Sequence, residues 1–456
     1  MWKNNKQDIP VQLSVIMPSL NVVSFIRPCI ESVLSQTFNQ IEILCIDAGS
    51  TDGTLEILLE YARKDSRVRI INSARKSYGY QLNIGICEAR GEYVGIVETD
   101  DYIHATMYES LYSYIHEGRK PDFIKSGYIQ FANVRNKRIF LTYNRNQLTG
   151  LYGDLINFQN EREKGVLDLN HIWSGIYKRS FLVEKGIKAQ ETPGASYQDL
   201  GFSLLVGLLA DTGIYVEEGY YYYRIDNENS SVKSNSKRQC VIHEFRYVIE
   251  RLTNKGKYSQ EIEWLVWKRK PEIYYWNALR LPADEREKFL MDIEQELEKY
   301  EEGNGYFDGL NDSQKKNVML LKSKKALNDY FIKKEDLVRD FKYLITLAKN
   351  DEKFVLVGAG RYGKRMLLLG EMLEKKYIEA VADNSEDRQG HIWNQYILVS
   401  VKDAVTVYRN SWFLIANKNS AFDILNELIH LGVSRDRILM FCDMLSLSEL
   451  IALALE

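Results

Sequence analysis

The chain has 456 residues, too many for one ordinary domain at roughly 150 residues each. Hydrophobic residues at 45% and charged residues at 27% are ordinary globular values, so each domain can bury a core. The 60 basic and 63 acidic side chains leave a net charge of −3, which offers no broad positive field to a nucleic-acid backbone. From Leu13 to about Asp101 the short apolar runs LSVIMP, IEILCID, VRIIN and YVGIVE alternate with helical stretches such as SFIRPCIESVLSQ and TLEILLEYARK. This βαβα rhythm predicts a mostly parallel sheet covered on both faces, with its ligand site at the carboxyl ends of the strands. Between about Asp122 and Lys237 the chain becomes turn-rich, and this part is expected to complete the first domain and supply the second side of its cleft. From about Gln239 to Lys349 charged and apolar residues recur at helical spacing, predicting a helical connector. The last hundred residues return to alternation (KFVLVGAGRYGKR, YIEAVADN, SWFLIANK, ILMFCD), predicting a second, smaller α/β domain.

Five cysteines, Cys29, Cys45, Cys87, Cys240 and Cys442, are scattered without a CxxC pair, the pattern of reduced thiols in a cytoplasmic protein. The polar amino terminus MWKNNKQDIPVQ lacks the apolar stretch of a signal peptide, and no run reaches the ~18 apolar residues of a membrane span. The expectation is a cytoplasmic protein, soluble or attached to the inner face of a membrane.

Two strand ends carry chemistry. IEILCID runs into AGSTDGT, placing Asp47 beside a glycine turn where its carboxylate can accept a hydrogen bond from a nucleobase N–H. Asp47 and Asp52 are equally suited to shaping that turn and capping the next helix. The run GEYVGIVETDDY ends a buried strand in Glu98, Asp100 and Asp101. Carboxylates so close raise one another's pKa unless a cation or hydrogen-bond donors compensate, and Mg²⁺ or Mn²⁺ bridging to a pyrophosphate is such a cation. A solvated acidic loop is the plain alternative.

With these residues in view, the first ~240 residues resemble the family 2 glycosyltransferases of GT-A fold. SVIMPSLN resembles the family's first strand and turn, with Pro18 and Asn21 in their usual places. ESVLSQTFNQIEILCIDAGSTDGT matches its S-x-x-x-Q segment and D-x-G-S-x-D-x-T turn. YGYQLNIGICEARGEYVGIVETDD matches N-x-G, A-x-G-E-Y and the D-x-D signature. The resemblance implies donor contacts from Pro18, Asn21, Asp47 at the base, Asn83, and Glu98 at the ribose, with Asp100 and Asp101 at the metal. Two departures stand out: Glu98 replaces the usual Asp, and Leu82 replaces an Arg carried by many members. HIWSGIYKRSFL and TPGASYQDLGF resemble acceptor-side segments of bacterial members that build surface polysaccharides, which makes Asp199 the catalytic base; its alternative is a helix N-cap. YYYYRIDNENSSVK resembles an aromatic strand and serine-bearing loop, from which Arg224, Ser230 and Ser231 would close over the pyrophosphate; the equal alternative is a tyrosine-rich strand packed in the core with a polar turn after it. His171 is a weaker candidate near the metal and suits a structural place as well.

The tail presents Gly358, Gly360 and Gly363 as G-x-G-x-x-G between a strand and a helix, with Asp383 ending the next strand, the dinucleotide fingerprint in its proper context. It resembles small nucleotide-binding modules attached to sugar-modifying enzymes, but no dehydrogenase partner residue is visible. An assembly role is therefore expected ahead of ligand binding, with no NAD. The expected architecture is α/β: a GT-A domain over residues 1–238, a helical connector over 239–350 and a Rossmann-like domain over 351–456. The expected function is an inverting, hexosyltransferase-type enzyme using Mn²⁺ or Mg²⁺ and a UDP-sugar in bacterial polysaccharide or glycoconjugate synthesis. Its acceptor would be a carbohydrate, lipid-linked sugar or glycoprotein, and homo-oligomerisation or peripheral membrane attachment is compatible with the chain. The rivals are a sugar-nucleotide oxidoreductase centred on the tail glycines and a non-catalytic nucleotide-binding scaffold.

Overall fold

The computed structural model describes residues 10–135, 137–143, 150–159, 161–166, 171–195, 197–227 and 237–456. The chain divides into two compact units: Met1–Gln130 with Leu141–Ser323, and Phe131–Phe140 with Lys324–Glu456.

The first unit opens with β1 (Leu13–Ser19), α1 (Val23–Leu34), β2 (Ile41–Asp47), α2 (Thr54–Lys64), β3 (Val68–Asn72), α3 (Tyr78–Glu88) and β4 (Tyr93–Ile96). β1 pairs in parallel with β2 and β4, and β2 with β3. Every residue of β1, β2 and β4 is buried, as expected for apolar runs in a sheet covered on both faces. The chain then adds β5 (Tyr102–Ile103), α4 (Met107–Tyr112), β6 (Phe123–Val134), β7 (Lys137–Tyr143), β8 (Ile156–Asn157), α5 (Arg162–Gly165), β9 (Gly175–Lys178), α6 (Arg179–Lys185), α7 (Gln198–Leu209) and β10 (Thr212–Arg224). β9 runs antiparallel to β4 and β6, giving the order β3-β2-β1-β4-β9-β6-β10-β5, with β7 on β6 and β8 on β10. Because β1 lies between β2 and β4, the sheet has a switch point there, and the carboxyl ends of these three strands open one crevice. Beneath it, buried Glu42 accepts from the Ser14 hydroxyl at 2.7 Å and pairs with Arg69 at 2.9 Å, so this carboxylate inside the sheet is neutralised.

The segment expected as a connector is helical: α8 (Cys240–Asn254), α9 (Gln260–Arg280), α10 (Ala283–Glu298), α11 (Gly305–Asp308), α12 (Asp312–Lys322) and α13 (Lys324–Lys349). The helices are split between the units, α8 to α12 with the first and α13 with the second. In the first group Tyr274 meets Phe245 and Phe289 edge-on at 5.6 and 5.7 Å, and Lys270 is buried against Glu296 at 2.6 Å. No helix among the described residues is long and apolar enough to cross a membrane.

The second unit holds β11 (Phe354–Val357), α14 (Arg361–Leu373), β12 (Ile378–Ala382), β13 (Ile392–Trp393), β14 (Tyr396–Val399), α15 (Val401–Val407), β15 (Trp412–Ala416), α16 (Ala421–His430), β16 (Ile438–Phe441) and α17 (Leu447–Leu455). Its sheet has the order β13-β14-β12-β11-β15-β16, parallel except where β13 turns back on β14. Phe341 of α13 lies against Phe441 of β16 at 4.4 Å, which is why this helix joins the second unit.

The three fingerprint glycines do different work. Gly358 has φ +116°, and a Cβ on it would lie 2.8 Å from the Ala416 carbonyl; a Cβ on Gly363 would lie 2.2 Å from the Gly358 carbonyl. A Cβ on Gly360 meets nothing within 4 Å. Gly363→Ala should therefore cost about 1–3 kcal/mol through overpacking, while Gly360→Ala should stay within about 0.5 kcal/mol. Urea unfolding of the two variants checks this ordering.

Candidate active site

The crevice is lined first by the β2 end. Asp47 is buried and takes three hydrogen bonds from its own turn: Gly49 N at 2.9 Å and Ser50 N at 3.0 Å on one oxygen, and the Ser50 hydroxyl at 2.6 Å on the other. A carboxylate offers about four acceptor positions, so one remains for an incoming donor. Asn21, exposed at φ +53°, accepts from Thr51 N at 2.9 Å and so ties the β1 loop to the same turn. Asp52 accepts from Val23 N and Thr54 N, both at 3.0 Å, holding the first turns of α1 and α2. Pro18 contributes its carbonyl, which accepts from the Thr99 hydroxyl at 2.9 Å and joins the β1 end to the acidic loop. Gln81 donates to Ser19 O and Ile46 O, at 3.0 and 2.6 Å, bracing α3 beneath both strand ends.

The acidic loop after β4 divides its carboxylates between support and chemistry. Asp101 is buried, with one oxygen accepting from the Tyr221 hydroxyl at 2.8 Å and the other from Arg224 N at 2.6 Å. Asp100 is half-buried and accepts from the Asn227 amide at 2.8 Å. Glu98 accepts a hydrogen bond from the Tyr78 hydroxyl. Burial, with Asp100 and Asp199 nearby, pushes the Glu98 carboxyl up to about 8 against the opposing effect of Tyr78. Burial also raises Asp101 well above the carboxylate range, reinforced by Asp100. Arg224 is buried over Phe25, its Nε donating to Asp100 O at 2.7 Å, so it props the acidic loop from behind. The two serines expected to join it in a lid, Ser230 and Ser231, lie outside the described residues.

Asp199 reaches the same crevice from α7. It stands second in the helix, Leu200 N donating to it at 3.0 Å, and Tyr197, not Asp199, occupies the N-cap position. Burial pushes its carboxyl up to about 6. Its charge is felt by Glu98, Tyr78 and Tyr223, which puts it beside the acidic loop although about a hundred residues separate them in sequence. Behind it, Glu244 of α8 is 1% exposed and held up to about 9 by burial and by Asp199, so it packs as a neutral acid. Asn83 faces elsewhere: its amide donates to Ala189 O at 2.9 Å and accepts from Ala189 N at 3.0 Å, stapling α3 to the segment before α7. Leu82 is fully buried. His171 sits among aromatic rings, 4.6 Å from Tyr128 and 4.9 Å from Trp173. Sequence reasoning missed Tyr78, Tyr223 and Glu244. For Tyr221 and Tyr223 the signal was present in the alternation of the tyrosine run, which sends both rings onto Trp173 at 4.2 and 5.1 Å.

Among the described residues no group of three or more His, Cys, Asp and Glu forms a ready-made metal cage. Asp101 is buried and holds the Tyr221 hydroxyl and Arg224 N, while Asp100 beside it is half-buried and accepts one hydrogen bond, from Asn227. That set fits a divalent ion completing its shell with diphosphate oxygens, as Mg²⁺ does with one or two carboxylates. In the second unit Asp383 accepts from Ala359 N at 3.0 Å and pairs with Arg388 at 3.1 Å, and Arg388 also donates to Ala359 O at 2.8 Å. The strand-end acid there closes the glycine loop on itself.

A switch-point sheet whose strand ends gather an Asp-anchored glycine turn and an acidic loop, faced by a helix-borne carboxylate, defines the GT-A class of glycosyltransferase folds. Residues 14–174 match the sequence model of glycosyl transferase family 2. The chain is 29% identical over 218 residues to the uncharacterized glycosyltransferase EpsJ of Bacillus subtilis, covering 48% of this chain and 62% of that one. It is 28% identical over 259 residues to the uncharacterized glycosyltransferase YibD of Escherichia coli, covering 54% and 70%. The crystal structure of S. aureus TarS superposes with a TM-score of 0.51 at 17% identity, over 68% of this chain and 52% of that one, a likeness of fold.

Proposed function

We propose that the first unit transfers a hexosyl group from a nucleoside diphosphate sugar, with UDP as the nucleotide, to an acceptor hydroxyl with inversion at the anomeric carbon. The observation that carries this reading is the meeting of Glu98, Asp100 and Asp199, from two distant segments, at one strand-end crevice, with the Glu98 carboxyl raised to about 8 and that of Asp199 to about 6. The family name and the glycosyltransferase names of EpsJ and YibD support it.

The roles follow from the environments. The Asp47 turn receives the base edge, using the acceptor position its own loop leaves open. Glu98, protonated near pH 7, both donates to and accepts from a ribose hydroxyl. Asp100 would hold a Mn²⁺ or Mg²⁺ ion, and Asp101, with Tyr221 and Arg224, keeps Asp100 in place. The bound ion would neutralise charge developing on the leaving diphosphate. Asp199, largely ionised at pH 7, takes the acceptor proton from the face opposite the leaving group. The acceptor would be a carbohydrate, lipid-linked or protein-linked glycan in bacterial surface polysaccharide synthesis, made on the cytoplasmic side of the membrane, and the second unit serves assembly. Screening nucleotide sugars for Mn²⁺-dependent release of the nucleoside diphosphate tests this; no release from any donor, or release unchanged by a chelator, counts against it.

The two shifted carboxyls also set a pH profile. Asp199 must be ionised and Glu98 protonated, so kcat/KM should rise about tenfold per pH unit below about 6, level out, and fall above about 8. A profile flat from pH 4 upward would remove Asp199 from the rate.

A further inference from the structure

Resting on that reading, we propose that Trp276 and Tyr197, spanned by Arg280, form an acceptor subsite that stacks a pyranose ring beside Asp199. These residues lie beyond the segment matched by the family, in α9 and in the turn entering α7. Trp276 is 39% exposed, an unusual place for so large an apolar ring. Its indole meets Tyr197 edge-on at 5.4 Å, and the Arg280 guanidinium lies 4.9 Å from the Tyr197 ring and 5.5 Å from the Trp276 ring. The group is held firmly. Arg280 donates to Asn277 Oδ1 and to Lys237 O, both at 2.9 Å, and fully buried Asn277 donates to Arg238 O at 3.0 Å.

Tyr197 stands two residues before Asp199, and its phenol is raised by burial and, in smaller part, by the Asp199 charge. Its φ of +65° is a left-handed conformation that a bulky side chain rarely adopts, and its buried hydroxyl finds no partner among the described residues. Strain and an unsatisfied hydroxyl at one residue beside the base are features that ligand binding can use. A pyranose presents an apolar C–H face and a rim of hydroxyls, which match an indole face edged by a guanidinium. A nucleobase is also flat, but the donor's base belongs at the Asp47 turn on the β2 end.

The test uses the full chain with methyl glycosides of glucose, galactose, mannose and N-acetylglucosamine as probes, read by saturation-transfer NMR. Ring C–H protons of at least one glycoside should take up saturation in the wild type. Trp276→Ala should weaken that binding about tenfold, and Trp276→Phe should restore most of it. Nucleotide-sugar hydrolysis and the melting temperature should stay at wild-type values in both variants. A wild type that contacts none of the probes, or a Trp276→Ala variant that binds them equally well, overturns the subsite. Glycoside contact that depends on Trp276 in a protein without donor hydrolysis keeps the subsite and sinks the transferase reading, so the two fail separately.

Discussion

Asp199→Asn is expected to slow transfer by about 10²–10⁴-fold, the usual loss when a general base is removed. A sugar hydroxyl is a weak nucleophile at neutral pH, so its attack must be coupled to proton removal by a carboxylate within hydrogen-bond reach. Burial raises the Asp199 carboxyl to about 6, below Glu98 at about 8 and Glu244 at about 9, and Tyr197 stands at the N-cap position of α7. Asparagine keeps the size and the contact with Leu200 N, so folding should survive. Nucleotide affinity should change little, because the donor contacts belong to Asp47, Glu98 and Asp100, and the acid limb of the pH profile should vanish. Measuring nucleotide affinity and transfer rate on the same variant separates the roles: near-wild-type transfer would exclude Asp199 as base.

Asp100→Asn should abolish the metal-dependent part of nucleotide binding and lower turnover by about 10²-fold or more, since neutralising a leaving diphosphate is worth several kcal/mol. The matching change at Asp101 should behave differently. Its oxygens hold the Tyr221 hydroxyl and Arg224 N inside the fold, so Asp101→Asn leaves Arg224 N facing an amide that can no longer accept at both ends. Loss of a buried hydrogen-bond partner costs about 1–3 kcal/mol of stability. Titrating UDP with and without Mn²⁺ while recording melting temperatures would resolve the two: binding lost at Asp100, stability lost at Asp101. Equal effects on metal-dependent binding would make both residues ligands.

The sequence carried the strand ends well, because a buried apolar run that stops in carboxylates is a local pattern, and β2 and β4 are such runs. It also carried the alternation of both units, with the turn at Gly358 to Gly363 between strand and helix. What it could not show were partners across long separations. That Asp101 is bound by residues 120 and 123 positions later, or that Arg224 packs over Phe25, depends on where β10 lies in the sheet. Asn83 likewise reads as a donor contact in a motif but staples α3 to residue 189. The helical region from 240 onward showed its apolar periodicity but not which body each helix would cover, so the division at Ser323 was invisible.

The most direct measurement is the anomeric configuration of the first sugar released by the wild-type chain from an α-linked UDP-sugar with Mn²⁺, followed by time-resolved proton NMR before mutarotation. Direct displacement by water activated at Asp199 predicts that the β-anomer appears first and that its signal is lost in Asp199→Asn. Release of the α-anomer first, or β-anomer release that persists in the variant, would contradict a single inverting displacement at this site.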